Sequence, residues 1–216
     1  MSSCAESSCA AGPRGPVTVL LQGGVASGKS TVARLLAARG ASVLDCDRIA
    51  HEELRAPEVV AAVRADFGDG VVGDDGEVSR PALAARVFDD PAALRRLEAL
   101  LHPRVAARVA AALEAAAAPP GAAREVVVID AAVADKMQLV PRYDVTAFVA
   151  ASAPARRARA ATRGWSDDEL ARREARQADL AEKRARADVV IENEGDLAET
   201  ESHVERFWTD HVAPRR

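Results

Sequence analysis

VTVLLQGGVASGKST, residues 17–31, decides the fold. An apolar run, Val17 to Leu21, leads into Gly23-x-x-x-x-Gly28-Lys29-Ser30, and the helix-forming stretch Thr31 to Arg39 follows. A strand, a glycine-rich turn and a helix start in that order form a P-loop. Backbone N–H groups of the turn and the positive end of the helix dipole face one concavity that holds phosphates. Gly24, Val25, Ala26, Ser27, Gly28, Lys29, Ser30 and Thr31 are therefore the candidate triphosphate-binding residues. Lys29 has the reach for the β- and γ-phosphates, and the Ser30 hydroxyl is a ligand for Mg²⁺. A chance glycine-rich turn would not also carry the strand before it and the helix after it.

Composition narrows the rest. The chain has 216 residues, which suits one α/β domain with an inserted or appended helical part. Hydrophobic residues make up 49% but aromatics only 3%, so alanine and valine do much of the packing and helices approach closely. A net charge of −4 with 29% charged residues points to neither nucleic acid nor a membrane surface as partner. No apolar stretch approaches the roughly 20 residues that span a bilayer. Residues 1–16 lack the pattern of a secretory signal and read as a disordered leader. The three cysteines, Cys4, Cys9 and Cys46, form no disulfide framework, which fits a reduced, cytoplasmic protein. Cys4 and Cys9 have no further Cys or His nearby to complete a metal site.

Strand-like runs recur at Val17–Leu21, Ser42–Leu44, Glu125–Ile129, Val145–Val149 and Val189–Ile191, several without polar alternation. Strands buried on both faces read this way, and helical patterns between them predict βαβ units. The expected fold is α/β: a P-loop kinase core with a parallel five-stranded sheet flanked by helices, a helical insert and a helical lid. Residues 48–118 read as successive helices interrupted by Pro57, the Gly68–Gly76 turns, Pro81, Pro91 and Pro103. A second helical excursion, Pro154 to Ala187, is broken at Gly164, and Ser166 with Glu169 signals a new helix. Its many arginines suit a mobile cover over a triphosphate. Interleaved acids predict that most of them instead pair along solvated helix faces.

Four residues outside the loop are candidates on the acceptor side. Asp45 and Asp47 follow the second strand, where open α/β sheets place ligands, and fall on one side if the chain stays extended. Either carboxylate can take the proton of an attacking hydroxyl or hold Mg²⁺ through water, while Asp47 is also a candidate cap for a helix beginning at Arg48. Asp130 closes the run VVVID as a Mg²⁺-organising acid would. His102, in Leu101-His102-Pro103, is a candidate substrate contact within the helical insert. Trp165 and Trp208 read as packing anchors at helix boundaries.

Together these segments resemble the dephospho-coenzyme A kinase family. The resemblance rests on GGVASGKSTVARLLAARGASVLDCDRIAHE, VSRPALAARVFDD, LEALLHPRV, VVVID and TRGWSDDELARREARQADLAEKRARADVVIENEGDL, and spans about Val17 to Trp208. Its most discriminating part is the Asp-x-Asp pair, Leu-His-Pro, and Gln177…Lys183…Ala187-Asp188…Ile191…Asn193…Gly195. The resemblance implies transfer of the ATP γ-phosphoryl group, with Mg²⁺, to the 3′-hydroxyl of dephospho-CoA. It implies a core at 17–47, 122–153 and 188–212, a CoA-binding part at 48–121 and a lid at 154–187. It makes Asp47 the base, Arg159 and Arg163 lid arginines closing over ATP, and Asn193 and Gly195 neighbours of the adenine. No nucleic acid, membrane or obligatory protein partner is implied. One segment departs: the family pattern Asp-x-Pro-Leu-Leu-Phe-Glu is here Asp130-Ala131-Ala132-Val133-Ala134-Asp135-Lys136. Without the proline and the aromatic the acceptor wall is looser, and acceptor affinity suffers more than ATP binding. Two other readings stand beside this one: a P-loop kinase for another small hydroxyl acceptor, and a nucleotide-binding regulator without transfer activity.

Overall fold

The computed structural model describes residues 15–88, 90–131, 139, 143–175, 177 and 180–216. Five strands form one wholly parallel sheet in the order β2-β3-β1-β4-β5. They are β1 (Val17–Gly23), β2 (Ala41–Asp45), β3 (Val126–Asp130), β4 (Val145–Ala150) and β5 (Val189–Glu192). The central runs VTVLLQG and VVVID are buried along their whole length, which is why they carry no polar alternation. Each strand starts or ends within a residue or two of its expected bounds, because register pairing continues past the apolar run.

Nine α-helices surround the sheet among the described residues: α1 (Lys29–Ala38), α2 (Cys46–Glu53), α3 (Pro57–Phe67), α4 (Arg80–Phe88), α5 (Pro91–Ala115), α6 (Ala153–Thr162), α7 (Asp167–Glu174), α8 (Leu180–Arg186) and α9 (Leu197–Phe207). One sheet face packs Val17, Val19, Leu21, Val126 and Val128 against Val32 and Leu36 of α1 and Val204 and Phe207 of α9. The other packs Leu20, Val127 and Ile129 against Ile49 of α2 and Val105 and Val109 of α5. The helical insert has a core of its own around Leu54, Val59, Val63, Phe67, Val71, Leu83, Ala93 and Leu101. A small fourth cluster joins Ala26 of the P-loop to Ala160, Leu170 and Trp165. Trp165 and Trp208 are thus both packed, Trp208 against the main core.

One reading of the insert is corrected. Pro103 does not interrupt it: α5 runs unbroken for 25 residues with Pro103 inside. Proline removes one intrahelical donor, but burial of Leu101, Val105 and Val109 on either side holds the helix together. Pro57 and Pro91 sit at helix starts, where a missing N–H costs nothing. The expected leader falls at residues 1–14 outside the described residues, as do Cys4 and Cys9, whereas Gly15 and Pro16 are held. Arg124 donates to the carbonyls of Gly15 (2.7 Å), Pro16 (2.7 Å) and Arg215 (3.3 Å), and its own N–H donates to Arg216 O at 3.0 Å. No helix among the described residues is long and apolar enough to cross a membrane.

Replacing Pro103 by alanine restores a donor for the Ala99 carbonyl and is expected to raise stability by about 1–3 kcal/mol. Urea unfolding tests it: a midpoint that stays put or falls would show that Pro103 is favoured by its tertiary setting.

Candidate active site

The P-loop turns between Gly23 and Lys29. Ser27 N–H closes onto Gly24 O at 3.1 Å, and Gly28 enters α1 with φ +90°. Gly23 has no room for a side chain: a Cβ there would lie 2.7 Å from Ser27 Oγ and 2.8 Å from Val149 O. Ala26 takes φ +58°, a left-handed backbone on a non-glycine residue, inside the path of the loop. Asp or Ser side chains cap α2, α5, α6, α7 and α9, but no side chain caps α1. Its first-turn N–H groups are left to an external acceptor, and Ser30 stands exposed beside them.

Strand register builds the floor of the site. Leu21 of β1 pairs with Asp130 of β3, and Asp130 pairs with Asp45 of β2. The two carboxylates therefore stand on adjacent strands at the same height, beside the P-loop, roughly 4.8 Å of backbone spacing apart. Asp130 is buried and ion-paired through Oδ1 with Lys29 Nζ. Burial pushes the Lys29 ammonium below the usual lysine range, and the charges of Asp47 and Asp45 pull it back up. Lys29 therefore faces three carboxylates: Asp130 in contact, Asp45 and Asp47 nearby.

The Asp-x-Asp pair is arranged differently from the extended-chain expectation. The strand ends at Asp45, and α2 begins at Cys46. Asp45, not Asp47, is the cap: its Oδ1 accepts from Arg48 N–H at 2.9 Å. Asp47 rides on the first turn of the helix, exposed, where it lines a cavity of about 910 Å³. The walls of that cavity are mainly apolar, from α2, α4 and α5: Leu54, Pro81, Leu83, Val87, Leu97 and Leu101. Its other polar groups are His51 and Arg80. Burial and the Arg80 charge hold His51 below the ordinary histidine range, against Asp47 and Asp45, so its ring is neutral at pH 7. His102 lies next to Leu101 but is not among the lining residues; the histidine brought to this wall is His51. Cys46 is 2% exposed, and burial, with the two flanking aspartates, pushes its thiol up to about 12.

Opposite lies a second cavity of about 310 Å³, lined by Gly28, Thr31, Arg34, Arg159, Thr162, Arg163, Asn193, Gly195 and Thr200, among others. Arg159 spans two backbone carbonyls, donating to Ser27 O at 3.0 Å and Asn193 O at 2.7 Å. Asn193, only 5% exposed, donates from Nδ2 to the same Ser27 O at 2.7 Å. Both residues thus brace the P-loop from outside.

Arg173 with Glu169 at 2.7 Å and Arg186 with Glu182 pair along one helix face as the interleaved pattern predicts, whereas Arg156 reaches Glu174 of the neighbouring helix at 2.6 Å and Arg184 reaches Glu192 of β5 at 2.8 Å. Arg163 and Arg173 flank Trp165 at 5.4 and 4.2 Å from its ring centre. This layer lies on the P-loop: Gln177 Oε1 accepts from Val25 N–H at 3.0 Å. It also reaches the insert, with Arg172 5.8 Å from the Phe88 ring. Of the residues sequence reading left aside, Arg80 lay within a quoted motif. So did His51, whereas Thr200 had no local signal, since only tertiary packing brings it to its cavity. The divergent stretch Ala132–Lys136 lies outside the described residues.

Residues 17–199 match the dephospho-CoA kinase family. The chain is 43% identical to the dephospho-CoA kinase of Leifsonia xyli, over 87% of this chain and 95% of that protein. It is 41% identical to that of Deinococcus radiodurans, over 89% and 91% respectively. Among solved structures it resembles TT1252 from Thermus thermophilus, with a TM-score of 0.77 at 33% identity over 92% of this chain and 98% of that one. The fold is shared with the dephospho-CoA kinase of Campylobacter jejuni, with a TM-score of 0.59 at 18% identity over 90% and 96%.

The Cys46 thiol gives a direct check on this electrostatic picture. A thiol raised to about 12 keeps its proton at pH 8, so iodoacetamide should label Cys46 at least roughly a hundredfold more slowly in the native protein than after denaturation. The native state favours the protonated form, so this contribution to stability is intact below pH 9 and drains away between pH 9 and about 12. Rapid native labelling at pH 8, followed by mass spectrometry of the Cys46 peptide, would contradict the assignment.

Proposed function

The chain belongs to the dephospho-CoA kinase family, and from that premise we propose that it transfers the γ-phosphoryl group of ATP to the 3′-hydroxyl of dephospho-CoA, giving CoA and ADP. The placement of Asp47 carries this reading. Its carboxylate stands at the mouth of the 910 Å³ apolar cavity and close enough to Lys29 to shift that ammonium's proton affinity. Asp47 is the carboxylate that lines this cavity and also lies within electrostatic reach of the P-loop lysine, which supports its meeting the acceptor hydroxyl there.

On this reading the core is 17–47, 122–153 and 188–212, the acceptor part is 48–121, and the lid is 154–187. The pantetheine arm fits the apolar walls, and Arg80 is placed to meet the diphosphate. The P-loop amides of residues 24–31 hold the ATP phosphates. The nucleoside lies toward the 310 Å³ cavity with Gly195 and Arg163 at its rim.

Chemistry is in-line displacement. The acceptor oxygen attacks Pγ, its proton passes to Asp47, and the bond from Pγ to the β–γ bridging oxygen breaks with its electrons going to ADP. Asp47 orients the hydroxyl and accepts the proton. Lys29 supports charge on the β–γ oxygens, and the docked layer α6–α8 excludes water that would otherwise hydrolyse ATP. Arg159, engaged with the Ser27 and Asn193 carbonyls, serves the nucleotide by holding the loop, and charge on the transferring group falls to Lys29 and Arg163.

The residues present suit Mg²⁺. Ser30, Asp130 and Asp45 offer only hard oxygens, and each aspartate has one oxygen committed, to Lys29 or to Arg48, with the second remaining. Among the described residues no cluster of three His, Cys, Asp or Glu forms a cage, so an ion held here would draw its remaining oxygens from water and phosphate. Ser30 would hold the ion, with Asp130 or Asp45 acting through water, and the ion would neutralise the β- and γ-oxygens. A cytoplasmic site of action, with dephospho-CoA as sole partner, completes the proposal.

An assay of ATP with dephospho-CoA, following the 3′-phosphorylated product by mass, tests the function. ADP release only with some other acceptor, or with none, would overturn it. Asp47→Asn should leave ATP affinity nearly intact and lower turnover at least about a hundredfold. Unchanged turnover would remove Asp47 from the mechanism.

A further inference from the structure

One buried chain of hydrogen bonds leads from the start of α9 to the P-loop. Thr200, 2% exposed, lies 2.7 Å through its hydroxyl from Asn193 Oδ1. Asn193 Nδ2 donates in turn to Ser27 O at 2.7 Å. The chain joins residues 7 and then 166 positions apart in sequence, so it is a tertiary contact and not helix geometry.

The direction of this chain follows from counting protons. The Thr200 hydroxyl has one proton and two acceptors in reach, Asn193 Oδ1 at 2.7 Å and Asp196 O at 2.9 Å. The nearer of the two, Asn193 Oδ1, takes the hydroxyl proton, while Asp196 O accepts the Thr200 backbone N–H at 3.2 Å. The Ser27 carbonyl only accepts, so Nδ2 faces it and Oδ1 faces Thr200; with the amide reversed, two oxygens would oppose each other at Ser27. The Thr200 proton then holds Oδ1 in that place. The Asn193 backbone cannot slide away, because its N–H donates to Ala150 O at 2.8 Å.

The effect at the loop comes from the planarity of one peptide. The Ser27 carbonyl and the Gly28 N–H belong to the same trans peptide unit and point in opposite directions. Asn193 and Arg159 together pull the carbonyl outward, so the Gly28 N–H is aimed into the phosphate concavity. Gly28 is also the residue where a side chain would collide with Asn193 Nδ2, which keeps the amide in direct contact with the loop.

We propose that Thr200 is a positioning residue for nucleotide binding: its hydroxyl fixes the Asn193 carboxamide, which sets the Ser27–Gly28 peptide and turns the Gly28 N–H toward the ATP phosphates. Thr200 lines the cavity assigned to the nucleoside, and its hydroxyl reaches the loop through Asn193. Its effect therefore falls on nucleotide affinity and not on the acceptor. The inference rests on the P-loop nucleotide site of the proposed function, but not on the identity of the acceptor.

The test compares Thr200→Val, which keeps the shape and loses the donor, with Thr200→Ser, which keeps the donor. Calorimetric titration with ADP, without acceptor, should show affinity falling roughly tenfold in Thr200→Val and staying within about twofold of the parent in Thr200→Ser. Steady-state assays should show the same rise in KM for ATP, with kcat and the acceptor KM little changed. Thermal unfolding of both variants identifies any loss of fold. Thr200→Ser remains informative if Thr200→Val unfolds, since a serine variant that binds ADP poorly while folded overturns the proposal. Equal ADP affinity in all three proteins overturns it as well. A parent protein that binds ADP but phosphorylates no dephospho-CoA would remove the acceptor assignment and leave the relay standing.

Discussion

Everything at the site depends on five parallel strands finishing along one edge. Because β1, β3 and β2 are in register at Leu21, Asp130 and Asp45, a strand-to-helix turn with bare amides and two carboxylates arrive at the same height. That alignment puts opposite charges together. Lys29 is drawn into a partly buried position where a lone ammonium would be costly, and the Asp130 contact with the nearby Asp45 and Asp47 offsets that cost. The carboxylates hold the lysine side chain at the edge of the loop. On the proposed reading, an arriving triphosphate finds its cation already placed, and competes for it against groups that also suit a magnesium ion. Charge is thus organised before any ligand arrives.

The helical parts solve a different problem. A sheet this small cannot also enclose an acceptor, so the insert carries its own apolar core and presents the residue left over between cores as a cavity. Its walls are leucines, valines and a proline from three helices, with Asp47, His51 and Arg80 at the polar end. Among the described residues the opposite layer, α6–α8, has a small apolar core and is held by ion pairs, a tryptophan between two arginines, the Gln177 contact with Val25 and the Arg159 hydrogen bonds to Ser27 and Asn193. On the proposed reading this layer is the lid, and its polar fastening to the P-loop contrasts with the apolar core of the acceptor part.

Much of this was legible in the sequence because the signals were physical and local. Continuous apolar runs between helical segments mark strands buried on both faces, and the P-loop glycines mark a turn that tolerates no side chain at Gly23. Serine at 166 with glutamate at 169 announced α7, and Ser166 does accept the Glu169 N–H. What was not legible depended on contacts between distant segments. Asp45 and Asp47 looked interchangeable until Asp45 was seen capping α2. Pro103 looked like a break, since its effect on a helix is local while the burial that overrides it is not. Arg159 read as a charge for phosphate, and the structure adds hydrogen bonds to two backbone carbonyls that no side-chain pattern reveals. Thr200 owes its position wholly to packing.

At the far edge of the sheet Arg124 gathers Gly15, Pro16, Arg215 and Arg216 into one knot, so the two ends of the described chain meet beneath the strands while all the chemistry faces the other way. In topological terms residues 15–216 form almost a closed ring. A short bridge across those ends would let the ring be reopened at a surface turn such as that around Gly121, with strand order and register unchanged. Fusion of another domain at either end would likewise leave the catalytic edge clear.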